Sequence, residues 1–206
     1  MNSPRSHAVS PHQLLQREPL YCEFLYAVLV AWGMASQKAR LVDYSEFRQA
    51  VKALCDGEVL QSCEGKLLAG LDGSSQPLLR QLYQELSGPC RIMASDSFVV
   101  GSSKLLHHLL PDLFPPVDRK YTLAILSRLP KTDPYRIGTM QCQHPDDDVF
   151  VKAMLFYGHV ARSVPNLGRL VDRRCMSTSI PKVLDNAMIS WCYLTLRAAG
   201  GRDAEE

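Results

Sequence analysis

The sequence predicts an all-α fold. Apolar residues recur at helical spacing over most of the chain, and Gly or Pro punctuates these runs at Gly57, Gly88-Pro89 and Pro111. No segment sustains period-two alternation with turn signals on both sides; 92–100 is the only plausible strand, and its signal is weak. At 206 residues and 46% hydrophobic, the chain suits one domain with a real core. A single helical domain is expected over 19–200, between a flexible N-terminal tail at 1–18 and a short C-terminal tail at 201–206.

The elements follow in order. Leu25, Val28, Leu29 and Trp32 mark a first helix over 19–34, apolar nearly all round and so expected at the centre of the domain. Phe47, Val51 and Leu54 mark a second, starting near Ser45 and stopped by Gly57. A short helix and a loop fit 57–76. Leu78, Leu79, Leu82, Tyr83 and Leu86 give another helix, 103–110 a short one, and Asp118 opens the next, through Leu129. A loop rich in Pro, Gly and Gln precedes a strong helix carrying Val149, Phe150, Ala153, Met154, Tyr157 and Val160. The last begins at Pro181, a favoured first-turn position for proline, and carries Val183, Leu184, Ala187, Met188 and Trp191.

A net charge of +2, from 23 basic and 21 acidic residues, does not by itself mark a nucleic-acid binder. Two stretches are nonetheless basic: Arg119, Lys120, Arg128, Lys131 and Arg136 against Asp133, and Arg162, Arg169, Arg173, Arg174 and Lys182 against Asp172. They form either one cationic face or two solvated surfaces. Seven scattered cysteines, with no CxxC, suit free thiols in a reducing compartment and argue against zinc or iron–sulfur ligation. The polar start and the short apolar run at 24–34 suggest neither a signal peptide nor a membrane span, so a cytoplasmic protein is expected.

The chemistry concentrates in 97–129, SFVVGSSKLLHHLLPDLFPPVDRKYTLAILSRL. A turn at Val100-Gly101-Ser102 is expected to lead into a helix near Ser103, whose free backbone N–H groups would hold a phosphate. Pro111 ends that helix. Phe114-Pro115-Pro116-Val117 then delivers Asp118 to the start of the next helix, with Arg119 and Lys120 following at once.

This order resembles the helix-hairpin-helix DNA glycosylase superfamily. Gly101 looks like the hairpin glycine, Pro115-Pro116 the loop, Val117-Asp118 the aliphatic–aspartate pair, and Arg128-Leu129 the basic–apolar pair closing the following helix. The resemblance implies two helical lobes around a central cleft, monomeric action on DNA, and base excision without metal or cofactor. The family's hairpin usually carries more than one glycine. In members that also cut the strand, its lysine nucleophile stands two residues after the last one. That place is Ser103 here. Lys104 is one further on and only 14 residues before Asp118. Lys104 as nucleophile, or water as nucleophile, both stay open. DNA repair is the family's usual setting. The chain is also similar to small bacterial glycosylase-like proteins of phage defence that remove hypermodified cytosines.

On this reading a base leaves the stack, and Asp118 stabilises the positive charge that develops on deoxyribose and activates water. Gly101, Ser102, Ser103, Arg119 and Lys120 would contact DNA phosphates, and Tyr121 or Trp32 would stack on the base. Each residue has a plainer alternative: Asp118 as a helix cap, Lys104 as a first-turn surface lysine, the serines as caps, and the two aromatics as core. A Pro111-Asp112…Asp118-Arg119-Lys120 nuclease pattern is rejected because the gap is too short. His107-His108 point to different sides of a helix, and Asp146-Asp147-Asp148 reads as a cap and dipole complement. Asp185 and Asn186 are candidates to pack against the hairpin region, without an assigned mechanism. Two other classes fit the same residues: a non-catalytic DNA-binding module, and a helical protein-interaction domain.

Overall fold

The computed structural model describes residues 10–36, 39–96, 98–138, 146–172, 174 and 177–198. Those residues form nine α-helices and one two-stranded hairpin. No helix among them is long and apolar enough to cross a membrane.

The expected N-terminal tail contains a helix, α1 (Pro11–Arg17). Ser10 and Gln13 form a reciprocal capping box and Pro11 occupies the first turn, so local chemistry sets the helix start without an apolar period. Residues 1–9 and 199–206 lie outside the described residues. Helix α2 (Tyr21–Ala31) is not enclosed as its composition suggests. Leu25 and Leu29 are fully buried, but Phe24 is 57% exposed. Helical geometry offers one face to the core, and the rest of an apolar stretch then stays outside.

Asp43 caps α3 (Tyr44–Asp56) by accepting from the Glu46 N–H at 3.0 Å, and Phe47, Val51 and Leu54 fill its buried stripe. A short α4 (Glu58–Gln61) and two single 3-10 turns, Leu68–Gly70 and Gly73–Ser75, lead to α5 (Gln76–Ser87). The weak strand signal at 92–100 divides differently. Met93 makes one bridge to Leu41, and Phe98 already opens α6 (Phe98–Leu109). The regular strands are β1 (Ala35–Ser36) and β2 (Ala39–Arg40), a two-residue antiparallel pair. A π turn (Arg119–Leu123) runs into α7 (Ala124–Arg128), and α8 (Asp146–Ser163) and α9 (Ile180–Ala198) complete the chain.

Helix α8 is the central packing element, against α5, α6 and the turn at Leu68–Gly70. The last contact is close because Gly158 presents no Cβ. An added one would meet the Leu71 carbonyl oxygen and stand 3.1 Å from that of Leu68. Arg162 donates to the carbonyls of Ala69 and Leu71 in the same turn. The acidic run that opens α8 does more than complement a dipole. Asp147 and Asp148 pair with Arg80 of α5, and Asp148 also pairs with Lys152. Cys22, Cys55, Cys63, Cys90 and Cys192 are buried free thiols, with Cys142 and Cys175 outside the described residues. Burial holds the Cys55 thiol up at about 12 and Cys63 at about 11, which keeps both protonated and unreactive.

Candidate functional site

Helix α6 begins about one turn earlier than the sequence suggests, and this changes the roles of three residues. Gly101 is not in a hairpin turn but inside the helix, where Met93 packs so closely that an added Cβ would stand 2.7 Å from Met93 Cγ. The unpaired N–H groups of a helix belong to its first turn, here Phe98 to Val100. Gly101, Ser102 and Ser103 lie beyond it, buried, with both serines at 0% exposure. They therefore present neither backbone nor side chain to a phosphate, and their expected DNA-contact role is withdrawn.

Ser103 instead clamps the loop that carries Asp118. Its hydroxyl donates to the Val100 carbonyl at 3.0 Å and accepts the Val117 N–H at 2.9 Å. One turn along, His107 Nδ1 lies 2.8 Å from the Phe114 carbonyl oxygen. A carbonyl can only accept, so Nδ1 carries the proton. Burial pushes His107 down to about 4, which keeps the imidazole neutral. The i, i+4 pair Ser103 and His107 thus holds both ends of Phe114–Pro115–Pro116–Val117 against one face of α6. Phe114 and Val117 are fully buried. The sequence reads these prolines as a delivery loop, but the groups that hold them are internal helix residues.

Asp118 leaves this clamp with its side chain partly exposed. Oδ1 accepts the Lys120 N–H at 2.7 Å, so the capping role is real. The turn it caps is unusual: Leu123 N–H reaches back five residues to the Asp118 carbonyl at 3.0 Å. Such π turns are rare and recur at functional positions. Arg119 and Lys120 are exposed on this turn, as a phosphate contact requires, while Thr122 turns inward to the Tyr157 hydroxyl at 2.9 Å.

Lys104 is not a surface lysine. It is 7% exposed, and its ammonium donates to the Trp32 carbonyl at 3.2 Å. Trp32 closes α2, so the ammonium meets the negative end of that helix. Burial lowers the Lys104 pKa, Asp118 and Asp185 act against that shift, and Lys182 adds to it. Lys104 therefore lies within electrostatic reach of Asp118, Asp185 and Lys182. Lys182 and the buried Asp185 form their own ion pair at 2.6 Å on the first turns of α9. Burial raises the Asp185 carboxyl, with Lys182 opposing. The Trp32 ring lies between these elements. Lys104 Nζ stands 5.5 Å and Lys182 Nζ 5.2 Å from its centroid, and His107 stacks at 6.2 Å. With those neighbours, Trp32 forms a wall of the cluster rather than an open platform for a base.

Tyr121, the other candidate stacking residue, is half-buried like Trp32. Its ring packs against Tyr193 of α9 at 5.8 Å, with the hydroxyls 3.1 Å apart. Sequence reasoning singled out Asp185 without a mechanism and missed the contributions of Lys182, His107 and Tyr157. The i, i+3 spacing of Lys182 and Asp185 was the one local signal of their pairing. Among the described residues, no group of three or more His, Cys, Asp or Glu side chains is placed to hold a metal ion.

No protein-family model, no curated protein and no solved structure matches this chain.

Proposed function

We propose that the chain is a DNA glycosylase related to the helix-hairpin-helix type, hydrolysing the N-glycosidic bond of a damaged or modified base turned out of DNA. One observation carries the reading: α6 clamps the loop that ends at Val117, and Asp118 follows it partly exposed, within electrostatic reach of the buried Lys104 ammonium and beside exposed Arg119 and Lys120. As the C1′–N bond breaks, its electron pair leaves with the base and positive charge develops on the sugar. Asp118 stabilises that charge and takes the proton of the water that adds to C1′. Lys104 keeps its proton, bound to the Trp32 carbonyl, and sets the local field. Water is then the nucleophile and the product is an abasic site with an intact strand. Arg119 and Lys120 hold flanking phosphates.

The position of Gly101 inside α6 favours a second reading. Without a glycine hairpin the fold would serve as a DNA-binding module in which Lys104 and Asp118 are caps.

Base release separates the two. Purified protein and its Asp118→Asn variant are incubated with DNA containing uracil, oxidised or alkylated bases, or glucosylated hydroxymethylcytosine. Abasic sites are scored with and without alkali. Asparagine still caps a helix, so the variant should stay folded while release falls at least a hundredfold. Strand scission without alkali would replace water by Lys104 as nucleophile. Inertness of both proteins on every substrate, with DNA binding unchanged by the substitution, would select the binding module.

A further inference from the structure

Helix α9 leaves large side chains in solvent along one arc. Trp191 and Tyr193 are each 51% exposed and Leu194 is 70% exposed, with Ala187 and Ser190 exposed between them. At 3.6 residues per turn these positions span roughly 160° of the helix surface. The arc continues onto the π turn through the Tyr193–Tyr121 contact, and Lys120 Nζ lies 5.9 Å from the Tyr121 ring. Arg119 and Lys120 are exposed on that turn, directly after the partly exposed Asp118. The hydrogen bond to Tyr193 holds the Tyr121 phenol up at about 12, so it adds no negative charge near neutral pH.

We infer that this arc is a binding surface for single-stranded nucleic acid, with Tyr193 and Trp191 stacking on unpaired bases and the flanking cations meeting phosphates. The inference extends the proposed function, since Asp118 acts electrostatically on Tyr121 and the strand would pass the candidate site. Aromatic faces beside cations fit unpaired bases, whereas a duplex keeps its base faces stacked inside. A second copy of the chain is a poorer occupant. Two such arcs meeting would bring the exposed Arg119 and Lys120 of each copy together, with Asp118 offsetting only part of the repulsion.

The full chain is titrated with oligothymidylate, a duplex of equal length, and dextran sulfate as a polyanion without bases. Tryptophan fluorescence and a labelled-strand competition are followed at several salt concentrations. The expected result is quenching by oligothymidylate that vanishes in Trp191→Phe, and affinity at least tenfold weaker in Tyr193→Ala with the salt slope unchanged. Both positions are exposed, so folding is checked by circular dichroism and should hold. Equal binding of all three ligands, insensitive to Tyr193→Ala, would overturn the inference. So would a concentration-dependent dimer that shields Trp191. Base release is scored separately: strand binding without release sinks the glycosylase reading alone, and release without Tyr193-dependent strand binding sinks this one alone.

Discussion

The Lys104 ammonium on α6 donates to the main-chain carbonyl of Trp32, the residue that closes α2, at 3.2 Å. Lys104 therefore has structural work that is independent of the proposed chemistry. It joins two helices and neutralises an outward-pointing carbonyl end. Replacing it with methionine keeps most of the stem and removes the charge. The Trp32 carbonyl then loses its donor, and Asp118 and Asp185 lose a counter-charge. Lys104→Met is expected to lower unfolding stability by about 1–3 kcal/mol, measured by urea titration near neutral pH. A change within about 0.5 kcal/mol would return Lys104 to the class of ordinary surface lysines.

Two adjacent serines on α6 should respond in opposite ways. Ser102 Oγ is buried and makes no hydrogen bond, so Ser102→Ala removes a group that burial already penalises. It should be neutral or slightly stabilising. Ser103→Ala strands the buried Val117 N–H and loosens the loop that holds Asp118. A loss of about 1–3 kcal/mol is expected and, on the proposed function, base release should fall more steeply than stability explains. Equal effects of the two substitutions would refute the clamp.

This pair also marks where the sequence stops being informative. The helices with a clear apolar stripe were legible: Phe47, Val51 and Leu54 of α3, and Leu79, Leu82 and Leu86 of α5, are all fully buried. The start of α6 was not, because Val99, Val100 and Gly101 read equally well as strand end and turn. What decides for helix is tertiary: Met93 fills the space where any other residue at 101 would place a Cβ. In α1 the error ran the other way, since its capping chemistry was visible in Ser10, Pro11 and Gln13 but no apolar period called attention to it. At the candidate site, Asp118 and its basic neighbours stand together in sequence. Lys182 and Asp185 come from a helix more than sixty residues on and enter only through packing around Trp32.

Two glycines test how rigid the packing is. Gly101→Ala must displace the Met93 side chain, which is flexible but fully buried. Gly158→Ala drives a methyl into main-chain carbonyls of the Leu68–Leu71 turn, which Arg162 also pins. Backbone yields less readily than a thioether. Both variants should be destabilised, by about 1–3 kcal/mol of overpacking, with Gly158→Ala the worse. Thermal melts in one buffer give the order, and the reverse order would mean that Met93 has nowhere to go.

The neutral His107 should impose a pH dependence on stability. In the unfolded chain it takes a proton as pH falls below about 6.5, but in the folded protein only near 4. Between those values the unfolded state binds more protons, so stability rises with pH across this window and is lost as pH drops through it. Above about 6.5 neither state is protonated and the contribution is flat. At pH 5 the loss attributable to His107 is roughly 2 kcal/mol. His108 also has its pKa lowered by burial and acts in the same direction. Urea unfolding of wild type and His107→Asn at pH 7.5, 6 and 5 isolates the His107 share. The variant starts less stable, because the bond to the Phe114 carbonyl is weakened or lost, but its stability should fall less between pH 7.5 and 5. Parallel slopes for the two proteins would place the His107 ring in water rather than against Phe114.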